Sequence, residues 1–305
     1  MSDLAVEQRE ETVLPTRLEH LVGDVDDFFG NHWGNQPTVF RASADLSGLI
    51  SEQEIWDEVD CGLLIRPYFT AFNEGVRSAL TDMTKKRSIV GHEVPGYINK
   101  EQILKDFAAG GTFKFNQPEH WHPRIRALVD SLAPEFRAEL EAYVFLSPPG
   151  KTAIQAHMDG SHVLVLQVAG VKDWHVGLLD ETSISGSDRY HQPDIPKDRR
   201  IDVTLTPGDV LYMPHGAPHY ATARVGNSIH IAITIEEPTT GDLADVYLAQ
   251  FMSEPLFDNL MIDHHRLSPN AKVDLLRELL GAHLSTADPI RTLESTIKMR
   301  KAHQR

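Results

Sequence analysis

Two short stretches carry side chains with metal-binding chemistry. His157-Met158-Asp159 sets an imidazole and a carboxylate two residues apart, and Gly208-Asp-Val-Leu-Tyr-Met-Pro214-His-Gly216-Ala-Pro-His219 ends on a second imidazole. Side chains alternate faces along a strand, so His157 and Asp159 point the same way and Met158 points into the opposite layer. Two imidazoles and one carboxylate occupy one face of an octahedral metal and leave three positions open, the donor set of non-haem Fe(II) oxygenases. Alone, either stretch is weak. With 16 His in the chain, one His-x-Asp is about what composition supplies, and the Gly-to-Pro run reads equally well as an ordinary hairpin. In this order, separated by several strand-like segments, the pair is specific.

Three further imidazoles lie in the same segments. His162 sits an odd number of residues from Asp159 and is expected to face away, His215 occupies a variable position, and His230 follows Ser228 at period two, which can turn it inward. An oxygenase that uses 2-oxoglutarate also needs a cation in the barrel for the far carboxylate. Lys172, at the turn after Leu164–Gly170, offers one, with a solvated hairpin lysine as the competing reading. Glu119-His120-Trp121-His122 has no third partner at useful spacing and is expected to be a helix entrance.

Around these residues the chain divides by pattern. Residues 1–15 are acidic and expected to be flexible. Leu18 to Trp33 has helical spacing broken at Gly23. Thr38–Phe40 and Leu63–Phe69 read as strands, Ser51-Glu-Gln-Glu54 as a capping box opening a helix, and charged 73–96, with Lys85-Lys-Arg87, as a solvated loop. Ile98–Phe107 and His122–Leu132 are expected helices on either side of a Thr112–Phe115 strand. From Ala142 the chain turns to short strands: Tyr143–Leu146, Ala153–His157, His162–Val168, Trp174–Leu178, Arg200–Leu205, Val210–Met213 and Ser228–Ile235. Turns at this frequency predict a sandwich or barrel. Residues 180–199 are the longest interruption and are expected to lie as a loop over its mouth. After Pro238 the pattern is helical, with Ser268-Pro269 opening one helix and Val273, Leu276, Leu279 and Leu280 striping it.

Composition narrows the partners. A 305-residue chain with net charge -15 disfavours nucleic acid and anionic membrane surfaces. The single cysteine excludes an internal disulfide framework and fits a reducing cytoplasm. The N-terminus lacks the basic start and apolar run of a signal peptide, and no apolar stretch is long enough to span a bilayer.

The segment from Gly208 to His219 matches the second sequence motif of the cupin double-stranded β-helix. His157-Met-Asp-Gly-Ser-His-Val-Leu-Val-Leu-Gln-Val-Ala-Gly-Val-Lys-Asp-Trp174 resembles the core of the JmjC ribosomal oxygenases, which hydroxylate Arg or His side chains in ribosomal proteins. The Gly208 motif, His219 and Ser228-Ile-His230 resemble its second half, and Ala142–Gly150 its lead-in strand. The resemblance implies a mainly β fold with α: a double-stranded β-helix (cupin/JmjC jelly roll) with an N-terminal α/β elaboration and C-terminal helices. It implies an oxygenase domain over 16–240 with its barrel core at about 141–237, while the apolar stripe of the helical 241–305 region is expected to be buried either on the barrel or against a second copy in a homodimer. His157, Asp159 and His219 would bind Fe(II), Lys172 would pair with the 2-oxoglutarate C5 carboxylate, and Ser228 would assist. O2 is the third reactant, and a peptide or protein the substrate.

This chain departs from the family's pattern in places. Phe145 stands where many members carry a Tyr whose hydroxyl touches the cosubstrate, with Thr152 a candidate replacement. Gly160 follows Asp159 where an acid is common, and position 171 is Val where a basic residue is usual. The 241–305 segment leaves no room for the family's winged helix. These departures widen the expected substrates to natural-product precursor peptides. The alternatives are a cupin that binds a metal or ligand without turnover, and a metal-dependent isomerase or oxygenase needing no oxo acid. Asp159 and Lys172 together argue against the first, and an essential Lys172 would exclude the second.

Overall fold

The computed structural model describes residues 13–73, 76–150, 152, 154–179, 195–253 and 264–303. Two compact units divide these residues. The larger comprises residues up to 135 together with 140–235, and the smaller comprises 136–139 with 236 onward.

The larger unit is built on an antiparallel sheet. Its strands are β1 (Thr38–Arg41), β2 (Phe69–Asn73), β3 (Val76–Arg77), β6 (Thr112–Asn116), β7 (Glu139–Ser147), β8 (His162–Gly177), β9 (Arg200–Leu205), β10 (Asp209–Met213) and β11 (His219–Glu236), in the order β1-β10-β8-β11-β7-β6-β2-β3. The long pair β8–β11 organises the rest. β11 follows β8 from His219 opposite Val176 to Ile235 opposite His162. On its other edge β8 pairs first with β10, through Val163–Leu166, and then with β9, through Lys172–Gly177. One bent ribbon thus serves two sets of neighbours, the arrangement of a double-stranded β-helix. Leu164, Val165, Leu205, Leu211, Ile231 and Ile233 are fully buried.

The bend has a steric cause. Register shifts fall between Ala223 and His230 on β11, opposite Gly170, where φ is +66°. A Cβ on Gly170 would lie 2.3 Å from the Asn227 carbonyl oxygen and 2.8 Å from Ser228 Cα. We expect Gly170→Ala to destabilise the fold by about 2–4 kcal/mol, from backbone overlap and a left-handed φ, as measured by chemical denaturation. A loss under about 0.5 kcal/mol, the range of an ordinary surface change, would show that the close approach is not enforced.

Several local expectations need correction. Trp174–Leu178 is no separate strand, because β8 runs through Gly170. Leu63–Phe69 contributes only an isolated bridge at Ile65, and the strand starts at Phe69, after a cis Arg66–Pro67 bond. The 73–96 loop is largely a hairpin: β4 (Thr84–Ile89) and β5 (His92–Ile98) pair as a separate two-stranded sheet. Val90 and Gly91 both take positive φ at its tip, the two-residue turn whose twist suits a hairpin. Of the expected 153–157 strand, residue 153 lies outside the described residues and 154–156 are irregular, with bridges to β11 made by Thr152 and His157. The expected mouth loop falls, over 180–194, outside the described residues, as do residues 1–12 of the N-terminal stretch.

Other local signals are present. Ser51 and Glu54 form a reciprocal capping box on the helix Glu52–Cys61, and Glu119-His120 forms a 3-10 turn ahead of the helix Pro123–Phe136. In the smaller unit the helix Thr240–Met252 is capped by Thr239 and Asp242, and Ser268 caps Pro269–Thr286. In the last helix, Pro289–His303, Arg300 reaches Glu236 at 2.8 Å, Asp242 at 3.1 Å and Glu139 at 3.4 Å. No helix among the described residues is long and apolar enough to cross a membrane.

Candidate active site

The two sequence stretches meet through backbone hydrogen bonds. His157 and His219 exchange both of theirs, N–H to O at 3.1 and 2.8 Å, and the Gly216 N–H donates to the Asp159 carbonyl at 3.0 Å. Directly opposed residues place their side chains on one face, so the imidazoles lie together with ring centroids 4.3 Å apart. The motif spacing follows. β10 ends at Met213, a turn held by Ala217 N–H to Pro214 carbonyl reverses the chain, and His219 is the first residue of β11. Asp159 is reached through irregular backbone, not the regular strand that spacing suggested, yet its carboxylate still faces both rings. Its oxygens stand 3.9 Å from His157 Nε2 and 3.6 Å from His219 Nε2.

Both rings are oriented for ligation. His157 Nδ1 lies 2.9 Å from the Gln155 carbonyl, and His219 Nδ1 lies 2.9 Å from the Ala217 carbonyl. A carbonyl only accepts, so each Nδ1 carries the proton and each Nε2 turns its lone pair toward Asp159. One ligand atom from each of His157, Asp159 and His219 lies within 4.8 Å of the other two, and these three are the cluster among the described residues that can share an ion. Burial, reinforced by repulsion from His157 and opposed by Asp159, pushes the His219 imidazole down to about 4. It is therefore neutral and available as a donor near pH 7.

Deeper in the barrel sits Lys172, only 2% exposed. Lys172 and Trp174 alternate onto one face of β8, as do Thr112 and Lys114 on β6 and Phe145 and Ser147 on β7. The Lys172 ammonium donates to Ser147 Oγ at 3.2 Å and to His230 Nδ1 at 3.3 Å. Thr112 Oγ1 also donates to Ser147, at 3.0 Å. His230 stacks on Phe145 at 4.6 Å with the rings 5° from parallel. Its imidazole is held well below the usual range by burial and by the Lys172 charge, so Nδ1 accepts. Burial pushes Lys172 itself down to about 7. A buried ammonium whose described partners are one hydroxyl and one imidazole is poorly compensated. Trp174 stands between the two parts, its ring 6.1 Å from the His219 ring and 5.8 Å from Lys172 Nζ. Its indole N–H is buried with no acceptor among the described residues.

The remaining candidates fall elsewhere. Ser228 Oγ accepts from Gln167 Nε2 at 2.9 Å beside the β11 irregularity and makes no hydrogen bond to Lys172. The Thr152 and Thr222 hydroxyls are 2.7 Å apart. His162 faces away from the triad, 2.8 Å from the Tyr212 hydroxyl and stacked 3.9 Å from Trp33. The His215 backbone N–H donates to the His162 ring at 3.3 Å. Sequence reasoning missed Ser147 and Lys114. The available signal was alternation, since Ser147 lies two residues from Phe145 on a strand already expected to face the cosubstrate.

Residues 114–243 match the JmjC domain model. Ribosomal oxygenase 2 of Mus musculus is 27% identical over 236 residues, 71% of this chain and 49% of its own length. The Drosophila grimshawi bifunctional lysine-specific demethylase and histidyl-hydroxylase NO66 is 25% identical over 83% of this chain and 34% of its own length. The chain thus spans half or less of these curated relatives. Among solved structures, Escherichia coli ycfD superposes with a TM-score of 0.56 at 20% identity, covering 88% of this chain and 70% of that one. The ribosomal oxygenase YcfD in complex with cobalt and 2-oxoglutarate gives 0.54 at 19% identity, covering 87% and 68%. The chain is thus similar in sequence to the ribosomal oxygenases and in fold to YcfD, with the JmjC match lying over residues 114–243.

Proposed function

We propose that the chain is an Fe(II)- and 2-oxoglutarate-dependent dioxygenase that hydroxylates an amino-acid side chain, of His or Arg type, in a peptide or protein, natural-product precursor peptides included. The observation that carries this reading is the pairing of the triad with Lys172. A metal-binding cupin without turnover needs the former and has no use for a desolvated cation beyond it. The activities that the relatives are named for, ribosomal oxygenase and histidyl-hydroxylase, and the cobalt and 2-oxoglutarate bound by YcfD, support it.

In this reading His157, Asp159 and His219 hold the iron, and the donor set fits: two neutral Nε2 atoms and one carboxylate. Iron bound there, with 2-oxoglutarate and O2, supplies the oxidising power to convert a C–H bond to C–OH while the cosubstrate becomes succinate and CO2. Lys172, backed by Ser147 and His230, grips the C5 carboxylate, which neutralises the buried ammonium. Phe145, without a hydroxyl, orients His230 by stacking. Gln155 and Ala217 fix the imidazole tautomers. Ser228 and Thr152 support the cosubstrate site through the backbone that carries it.

Residues 16–240 form the oxygenase domain in this proposal, with the barrel core at about 141–237. The 241–305 helices, which expose Val273, Leu276, Leu284 and Ile290, pair two copies. An exposed free Cys61 suits the cytoplasm, and a charge of -15 suits a protein partner better than a nucleic acid.

The test is direct. Purified protein with Fe(II), ascorbate and 2-oxoglutarate should release succinate, and a substrate peptide should gain one oxygen, located by fragmentation. Protein that binds iron stoichiometrically yet forms no succinate above the iron-only background would favour the non-catalytic cupin.

A further inference from the structure

A cavity of about 350 Å³ opens between β2, β6 and β7, lined by Thr70, Phe72, Arg77, Lys114, Asn116 and Tyr143 among others, a volume at the small end of ligand sites. Its charges are unusual for this chain. Acids outnumber lysines and arginines 44 to 29, yet Arg77 and Lys114 both line this cavity. Arg77 is near enough to repel both Arg66 and Lys114, while burial is the larger influence on each. None of the three side chains has a hydrogen bond or ion pair among the described residues. Lys114 instead lies over the Tyr143 ring, its Nζ 3.9 Å from the centroid, and 5.1 Å from the Phe145 centroid. Of the carboxylates around it, Asp159 of the triad exerts the largest pull on its charge.

The other acid that acts on Lys114 is already engaged. Glu141 accepts from Gln117 Nε2 at 2.6 Å and from the Tyr143 hydroxyl at 2.5 Å. Asn116 Nδ2 is likewise occupied by the Pro67 carbonyl and Thr70 Oγ1. Those contacts fix the walls and leave the ammonium of Lys114 and the guanidinium of Arg77 as the open donors. A desolvated ammonium with only aromatic faces for company is stabilised when an anion arrives.

We propose that this cavity is the subsite for an acidic group of the substrate: a carboxylate, from an Asp or Glu side chain or a peptide C-terminus, seated on Lys114 and Arg77. The proposal deepens the reading of the chain as a peptide-modifying oxygenase and rests on it for the word substrate. It specifies that the residue to be modified is presented next to an acid. A protein of charge -15 otherwise repels acidic peptides, so preference for one requires a local cationic site.

Selection from a synthetic random octapeptide library on the immobilised full chain tests this, with manganese(II) at the triad and saturating 2-oxoglutarate to occupy Lys172. Wild-type protein should enrich Asp or Glu at one position about tenfold over the starting pool, the effect of one charge-assisted contact. The Arg77→Gln/Lys114→Gln variant should lose that enrichment, and Lys114→Arg should keep it. Exposed Arg77 allows Arg77→Gln alone to serve if the double variant melts early, with a partial loss expected. Enrichment in a C-terminally amidated library assigns the acid to a side chain, and enrichment only with free C-termini assigns it to the chain end; either supports the subsite. No acidic enrichment by wild type, or equal enrichment by Arg77→Gln/Lys114→Gln, overturns it. Succinate release by the same preparations is scored separately, so a failure of the oxygenase reading is distinguishable from a failure of the subsite.

Discussion

Asp159→Ala should abolish succinate formation and lower metal affinity by at least about a hundredfold while leaving the fold intact. The carboxylate is the sole anionic member of the triad. Without it two neutral imidazoles would face a divalent cation with no charge to offset it, and hard Fe(II) would lose its oxygen donor. The size of the loss follows from charge. A charge-assisted contact is worth roughly 1.5–3 kcal/mol, and a direct metal–carboxylate bond in a half-buried site exceeds it. The fold should not notice, because the Asp159 side chain is 39% exposed and its structural bond, from Gly216 N–H, goes to the backbone carbonyl. Asp159→Asn separates charge from shape, retaining an oxygen donor without the anion, and should fall between wild type and Ala in iron affinity. Metal content after dialysis and the thermal midpoint, measured on the same samples, decide the matter. An Asp159→Ala protein that retains full iron and turnover would remove the triad from the mechanism.

The triad was legible because each half of its motif encodes backbone geometry as well as a ligand. Gly216 with positive φ and Pro218 before an extended His219 specify a turn that returns the chain beside His157, so spacing alone placed the rings together. The longer barrel strands were legible through apolar alternation. The β4–β5 hairpin was not, because Lys85, Lys86 and Arg87 give neither face an apolar pattern, and its formation depends on the Val90-Gly91 turn. Leu63–Phe69 misled for the opposite reason. It is apolar enough for a strand, but Pro67 offers no N–H, so the segment before it makes only the Ile65 bridge and the continuous strand begins beyond it. Lys114 and Arg77 were invisible as site residues because no motif surrounds them, and Ser147 was signalled only by its alternation with Phe145. Their significance arises from registers such as Lys114 opposite Phe145, which bring separate strands to one cavity and which no single stretch of sequence contains.

Lys172→Met should raise the 2-oxoglutarate concentration needed for half-maximal succinate release by about 10- to 150-fold, the equivalent of losing one charge-assisted contact of roughly 1.5–3 kcal/mol. Met fills nearly the same volume without the charge. The fold should therefore be unchanged or gain stability, since a buried ammonium paired only to Ser147 and His230 is costly in the empty site. Opposite signs on the two readouts separate cosubstrate binding from a structural role, which would lower stability and affinity together. Protonation gives a second, independent signature. Burial holds Lys172 near 7 in the empty barrel, so below that pH the ammonium is already charged. Above it the empty site is increasingly neutral, while a bound C5 carboxylate restores the charge and draws the group back up. Cosubstrate binding should accordingly take up a proton above pH 7, rising toward one per site and vanishing below about pH 6. Calorimetry in buffers of different ionisation enthalpy measures that uptake directly. Lys172→Met should show no such uptake, and a wild-type protein with equally none at pH 8 would mean that the lysine does not meet the dicarboxylate.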